Sequence, residues 1–287
     1  MEEGGFLMMS ATIFDSRPLA ARMMAELQQE AAEFRKQHRR SARLAQILIG
    51  RDPAAEVYSR QLVRSCRRLG LSCVTLAYPF EVDEEEIRSE VAMLSEAPTT
   101  DGIVLLLPLP EHIRQRVVTE VLRPEKDVDG LGPRNAGNLL LGFPSFVPST
   151  ADVALTVLRE AGIRVAGQHA VIVGRSNIGG KPIALALMRE DATVTICHSH
   201  TRDLAEITRR ADILVVSTGR PGLITGEMVK PGAVVLDAGI TTVDGKVVGD
   251  VDRESVARVA SFLTPVPGGL GPLTHLMLIR HTLLGPQ

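Results

Sequence analysis

The stretch V-I-V-G-R-S-N-I-G-G-K-P at positions 171–182 constrains this chain more than any other. Residues 171–173 form a short apolar, β-branched run, the pattern of a strand covered on both faces. Gly174 permits a turn where a side chain would clash. Gly179 and Gly180 let backbone approach closely, and Pro182 suits a first helical position, where its missing N–H has no partner anyway. A strand, a glycine turn and a helix start leave free N–H groups that attract phosphate. The pattern is G-x-S-x-x-G-G rather than G-x-G-x-x-G. Taken alone it fits a dinucleotide site and a plain strand–helix turn equally.

The residues beyond the turn favour the dinucleotide. Residues 193–197 read as a second strand, ending roughly twenty residues after Gly174, where a Rossmann unit meets the ribose. NAD enzymes usually place Asp or Glu there. This chain has His198-Ser199-His200-Thr201-Arg202 instead. Hydroxyls and cations, with Arg175 in the turn, suit a ribose bearing an extra phosphate, so the charges point to NADP over NAD. The competing reading is a solvated polar turn. Thr218 and Gly219 open a loop after a strand at 212–217, at the end where open sheets bind ligands.

Residues 42–49, 72–77 and 102–107 read as strands, and 17–40, 54–69, 83–95 and 111–122 as helices. Such alternation implies an α/β fold with a parallel sheet. The basic cluster at 35–40 fits cations at a helix C-terminus. Residues 133–148, rich in Gly, Pro and Asn, read as a connection between domains. Later strands fall at 212–217 and 233–237. Asp244-Gly245 marks a type I′ hairpin, and a last helix covers 273–284.

At 287 residues the chain can hold two domains. The net charge of −2 gives no case for nucleic acid or a membrane as partner. Cys66, Cys73 and Cys197 lack metal-ligand spacing, so no metal is expected. Scattered and odd in number, they fit reduced thiols in a cytoplasm. Residues 1–9 have no basic leader and do not read as a signal peptide; Met8 or Met9 are alternative starts. No apolar run is long enough to span a bilayer.

Several motifs, in order, resemble the methylenetetrahydrofolate dehydrogenase/cyclohydrolase family. They are D-P-A-x-x-V-Y at 52–58, K-D-V-D-G at 126–130, N-A-G-x-L at 135–139 and V-G-R-S-N-I-x-G-K-P at 173–182. To these are added G-x-P-G-x-I at 219–224, D-A-G-I at 237–240, G-D-V at 249–251 and P-V-P-G-G-L-G-P-L-T at 265–274. The resemblance implies an α/β folate domain from 1–148 plus 273–287, the last helix packing back on it. It implies an NADP-binding Rossmann domain from 149–272, with folate in the cleft between the two. It also implies a homodimer. Family members oxidise methylenetetrahydrofolate with NADP and then hydrolyse the methenyl product to formyltetrahydrofolate. By motif position Gly174, Arg175, Ser176, Ser199 and Ile240 would contact NADP. Tyr58 would pack on the folate ring, Asp127 and Asp129 would bind the pterin edge, and Pro267, Gly268 and Gly269 would shape the substrate site.

Two positions depart from the family at the chemistry. Its Tyr-x-x-x-Lys lysine is Leu62 here, and the glutamine of its Gln-Leu-Pro-Leu-Pro is Leu106. In the family the lysine handles water and protons in the hydrolytic step, and the glutamine holds it. Leucine does neither, and replacing both avoids an orphaned polar partner. Gln61 and Ser65 flank Leu62 by helical angle, while Arg60 and Arg64 point away; none is a good general base near neutral pH. Ser149 stands where the family has cysteine and Ala151 where it has proline. The sequence therefore predicts a dehydrogenase with doubtful cyclohydrolase activity. An NADP-linked redox enzyme for another cyclic amine or imine, or a non-catalytic folate or NADP binder, are the alternatives.

Overall fold

The computed structural model describes residues 10–286. The expectations for residues 1–9 lie outside that range. In chain order the elements are β1 (Thr12–Ile13), α1 (Ser16–His38), β2 (Arg43–Ile49), α2 (Pro53–Leu69), β3 (Ser72–Tyr78), α3 (Glu84–Glu96) and β4 (Gly102–Leu105). Next come α4 (Gln115–Thr119), α5 (Pro133–Leu141), α6 (Ser149–Glu160), β5 (His169–Val173), α7 (Gly180–Arg189), β6 (Thr193–Cys197) and α8 (Leu204–Thr208). The chain ends with β7 (Ile213–Val216), β8 (Val234–Asp237), β9 (Thr241–Val243), β10 (Lys246–Val248), α9 (Arg253–Ala257), β11 (Phe262–Thr264) and α10 (Gly271–Leu284). They form two compact units. One is Ala20–Ser149 with the chain from Leu273 onward; the other is Thr150–Pro272 with the chain up to Leu19.

The first unit is built on a parallel sheet in the order β3-β2-β4. Side chains alternate across it. Ala45, Ile47, Ile49, Ile103 and Leu105 face one way, packing with Ile87 and Val91 of α3 and Val118 of α4. Leu44, Gln46 and Val104, with Cys73 and Thr75 in register beside them, face the other. Leu106 continues that alternation, its N–H reaching the Ile47 carbonyl at 2.9 Å. Helix α2 covers this second face, since its Cys66 lies against Cys73. The helix is well defined at both ends. Asp52 accepts from the Ala55 N–H at 2.8 Å, Pro53 follows, and Gly70 closes the helix at φ 73. The last helix, α10, joins the same unit: the His281 Nδ1–H donates to the Val128 carbonyl at 2.7 Å, and Arg280 pairs with Glu30 at 3.0 Å.

The second unit is a parallel sheet in the order β1-β11-β8-β7-β5-β6. From β5 the chain passes through α7 to β6 on one side, then crosses back to β7 on the other. The strand order thus reverses at β5, which opens a crevice at the carboxyl ends of β5 and β7. Val171, Val173, Leu214, Val216 and Val235 fill one core beneath it. The β9–β10 hairpin turns on Asp244 (φ 50) and Gly245 (φ 74), the two positive angles a type I′ turn needs.

Four expectations change. Residues 10–19 fall with the second unit rather than with residues 20–148, because Thr12 and Ile13 pair with Phe262 and Leu263. The connection at 133–148 contains α5: Pro133 takes the first helical position, Gly142 closes it at φ 78, and Asn135 turns its amide inward. The helix at 111–122 shrinks to α4, because Ile113 turns back onto the Pro110 carbonyl and His112 bonds the Val82 carbonyl. Pro182 is the third residue of α7, still within the turn whose N–H groups lack helical partners. No helix among the described residues is long and apolar enough to cross a membrane.

Asp101 ties the edge of the first unit together. It accepts two bonds from Arg40, each 2.7 Å, and one from the Arg43 N–H at 2.7 Å. The carboxylate is 14% exposed and Arg40 is 35% exposed, so solvent screens part of the pair. Asp101→Ala should cost about 1–2 kcal/mol in urea unfolding, mostly through the unsatisfied Arg43 N–H. Asp15→Ala, whose partner Arg17 is 89% exposed, should cost little in the same assay.

Candidate functional site

Tyr58 sits in the second turn of α2, half-buried. Its hydroxyl is hydrogen-bonded with Thr274 of α10. Burial, then the nearby Asp129 carboxylate, push the phenol well above its ordinary pKa, so it stays protonated. Asp129 is also half-buried. Its Oδ1 accepts from the Ser149 N–H at 2.9 Å. Burial raises its pKa, against the pull of Ser149 and of His281. Tyr58, Asp129, Thr274 and Ser149 thus gather a phenol, a carboxylate and two hydroxyls from α2, α6, α10 and the loop between α4 and α5. This set can stack on a flat ring and bind an edge rich in N–H groups.

Asp127 belongs to a different layer. It was expected beside Asp129 at the pterin edge, yet it is 2% exposed with both oxygens engaged. Oδ1 accepts from the Leu131 N–H at 3.0 Å; Oδ2 accepts from the Gly132 N–H at 2.8 Å and the Asn135 amide at 2.9 Å. Burial raises its pKa to about 6. Asp127 holds the loop that presents Asp129.

Leu62 is 0% exposed and Leu106 is 3% exposed. Both lie on the α2-covered face of the sheet. Of the neighbours expected to flank Leu62, Ser65 is buried and Gln61 is exposed, so Gln61 is turned away. A polar group that the sequence did not single out also occupies this face. Gln46 is 0% exposed; its amide donates to the Thr75 hydroxyl at 2.7 Å, and its Oε1 has no partner.

In the second unit the glycine turn is set by sterics. Gly174 has φ +129, and a Cβ there would lie 2.0 Å from the Ser217 carbonyl oxygen. A Cβ on Gly180 would lie 2.0 Å from the Gly174 carbonyl oxygen. Only glycines let β5, β7 and α7 converge so closely. Arg175, Ser176, Asn177 and Ile178 then project outward as an exposed loop, and the Ser176 hydroxyl accepts from the Gly179 N–H at 3.1 Å. At the end of β6, Ser199 and His200 are exposed. Burial, then the charges of Arg175 and His200, depress the His198 pKa, which places Arg175 and the two imidazoles near one another. That cluster, beside the exposed loop and the start of α7, fits an anionic ligand with more than one phosphate.

Thr218 and Gly219 lie at the end of β7, as expected, but their donors are taken. The Thr218 N–H and hydroxyl and the Gly219 N–H all bond to Oδ2 of Asp250, which is 0% exposed. Asp237 in turn accepts from the N–H groups of Gly239, Asp250 and Val251 at 3.0–3.1 Å. Burial raises its pKa to about 6. These two carboxylates fix the loop that carries Ile240, which is 58% exposed. Pro267, Gly268 and Gly269 belong to this unit too, where the Gly268 carbonyl accepts from Ser16 Oγ at 2.7 Å.

Sequence reasoning missed Thr274, Asn135, Asp250 and His281 as supports. The first three lie in or beside the family motifs. His281 gave no signal, being one of two histidines in a mostly apolar helix.

Residues 14–129 match the tetrahydrofolate dehydrogenase/cyclohydrolase catalytic domain, and residues 148–286 its NAD(P)-binding domain. A bifunctional protein FolD of Halalkalibacterium halodurans is 47% identical over 275 residues, covering 96% of this chain and 98% of that one. The crystal structure of the Campylobacter jejuni bifunctional FolD superposes with a TM-score of 0.91 at 36% identity, covering 96% of this chain and 98% of that one. The Trypanosoma brucei FolD, solved with NADP and an inhibitor, also gives 0.91, at 37% identity and 96% coverage of each chain.

The buried groups are open to direct measurement. Carboxyl carbon NMR should show Asp127 and Asp237 titrating near 6 rather than near 3.8. Because the folded state holds these protons more tightly, their contribution to stability is complete below about 3.8 and is lost as pH rises through 6. Gly174→Ala should weaken NADP binding at least about tenfold and cost about 2 kcal/mol or more in stability, both read by calorimetry.

Proposed function

The chain belongs to the tetrahydrofolate dehydrogenase/cyclohydrolase family and is an NADP-dependent methylenetetrahydrofolate dehydrogenase; on that premise we propose that its cyclohydrolase step is weak or absent. The observation that supports this is the pair of buried leucines, Leu62 and Leu106, beside an otherwise polar arrangement of Tyr58, Thr274 and Asp129.

The two half-reactions ask different things of the protein. Hydride leaves a carbon flanked by two nitrogens, and the resulting cation is stabilised by resonance within the folate. Bound NADP supplies the hydride acceptor at its nicotinamide. The chain's part in that step is positioning, which can lower a barrier by several kcal/mol without proton transfer. In this reading Tyr58 stacks on the ring system and stays neutral. Asp129, held by Ser149, binds the pterin edge. Asp127 positions Asp129 through the loop. Gly174, Arg175, Ser176 and Ser199 hold the cofactor, Arg175 and its histidine neighbours meeting the extra phosphate. Ile240 packs an apolar side chain against it, and Thr218 and Gly219 fix the crevice's shape rather than donate to it. Pro267, Gly268 and Gly269 border the substrate.

Hydrolysis of the methenyl cation is different. Water must lose a proton as it attacks, and a group must carry that proton away. Leu62 and Leu106 cannot. Tyr58 is held protonated, and the Gln46 amide is no base. The same reading includes a homodimer, as the family resemblance implies, and a cytoplasm, as the scattered cysteines suggest; sedimentation of the purified protein tests the dimer.

The test tracks methenyltetrahydrofolate absorbance alongside NADPH. The protein should form both and then release formyltetrahydrofolate no faster than the uncatalysed reaction. Leu62→Lys with Leu106→Gln should raise formyltetrahydrofolate production at least about tenfold, and Leu62→Lys alone should do so poorly, because a lone buried ammonium lacks its partner. Efficient hydrolysis by the unmodified protein would overturn the proposal.

A further inference from the structure

Cys66 and Cys73 flank one tight reversal of the chain. Helix α2 ends at Leu69, Gly70 takes the left-handed conformation, and the Leu71 N–H folds back onto the Cys66 carbonyl at 2.9 Å. Strand β3 then starts at Ser72 and turns Cys73 toward the helix-covered face, in register with Leu44. The two sulfurs meet there. Cys66 is wholly buried, while Cys73 is half-buried. Cys73 also lines an open pocket of about 420 Å³, with Arg67, Gly70 and Ser72 around it. The Arg35 guanidinium lies against Gly70 at the same reversal. A small solute thus has a route to one sulfur only, and the second sulfur waits behind it.

We propose that Cys66 and Cys73 form a peroxide-responsive dithiol, with Cys73 the sulfur that is oxidised first and Cys66 the one that resolves it into a disulfide. The oxidant class is a hydroperoxide, hydrogen peroxide being the simplest. In the first step the Cys73 thiolate attacks one peroxide oxygen. An S–O bond forms and the O–O bond breaks. Sulfur loses two electrons, and the departing oxygen leaves as hydroxide and is protonated to water. In the second step Cys66 gives up its proton and its sulfur attacks Cys73. The S–S bond forms, the S–O bond breaks, and the hydroxide leaves with that proton as water.

The asymmetry of the pair suits these roles. The neighbouring Cys66 thiol lowers the Cys73 pKa, while Cys73 and burial raise that of Cys66. The thiolate, which is the reactive form, therefore collects on the sulfur that the pocket exposes. The third cysteine is a control within the same chain. Cys197 is buried at the end of β6, and burial raises its pKa.

The experiment exposes the purified, fully reduced protein to hydrogen peroxide, removes the peroxide, unfolds the chain in denaturant with an alkylating reagent that blocks every remaining thiol, and reads intact mass and peptides. One alkylated cysteine, Cys197, and a Cys66–Cys73 cross-link are expected. The unblocked protein should be lighter by about 2 Da, the two thiol hydrogens. A dithiol reductant should restore all three alkylation sites. In Cys66→Ser, a sulfenic-acid trap should label Cys73 at least about tenfold faster than Cys197. The wild-type mass result stands even if that variant fails to fold. The proposal is overturned if all three cysteines remain alkylatable under peroxide that oxidises free cysteine, or if Cys73 and Cys197 react at the same rate. It is also overturned if Cys73 proceeds to sulfinic acid without cross-linking.

Discussion

In each compact unit a buried carboxylate with several N–H donors holds a loop that carries one of the proposed ligand contacts. Asp127 takes the N–H groups of Leu131 and Gly132 and the amide of Asn135; Asp237 takes those of Gly239, Asp250 and Val251. Burying a charge is unfavourable by several kcal/mol unless donors replace the lost water. Here desolvation still outweighs the donors, since both pKa values stand near 6. The arrangement therefore does not maximise stability. It fixes geometry: Asp129 lies two residues beyond Asp127, and Ile240 three beyond Asp237. Rigid presentation of these residues is what a reaction driven by alignment requires.

That division of labour explains which parts of the site could be read from sequence. The turn at Gly174 was legible because glycine is the one residue whose presence reports a steric requirement directly. A Cβ at 174 or at 180 would strike a carbonyl oxygen. The hairpin at Asp244-Gly245 was legible for the same reason. The supporting carboxylates were not. An aspartate in a Gly-rich loop has the same composition whether it faces water or is buried under its own backbone, and only the contacts distinguish the two. Asp127 was accordingly read as a ligand contact, whereas the structure engages both its oxygens in its own loop. Strands β1 and β11 were missed because Thr12–Ile13 and Phe262–Thr264 are too short for an alternation to register. Helix α5 was missed because its composition reads as loop, although Pro133 and Gly142 mark both its ends.

The positions of Leu62 and Leu106 are legible only by resemblance, yet the structure gives their substitution a physical context. Both sit on the sheet face that α2 covers, fully enclosed. On that face the buried Gln46 bonds Thr75 with one end and leaves Oε1 without a donor. An unmet buried acceptor costs about 1–3 kcal/mol. A layer selected for packing alone would have no use for it, since leucine or methionine would fill a similar volume without that cost. The face is thus not a plain hydrophobic core. Its two leucines offer no group that can move a proton, while Gln46 keeps a fixed dipole in a region of low dielectric, where a dipole acts more strongly than in water. A positioned dipole stabilises a charge but cannot carry a proton from water. That distinction is the one between forming a methenyl cation and hydrolysing it.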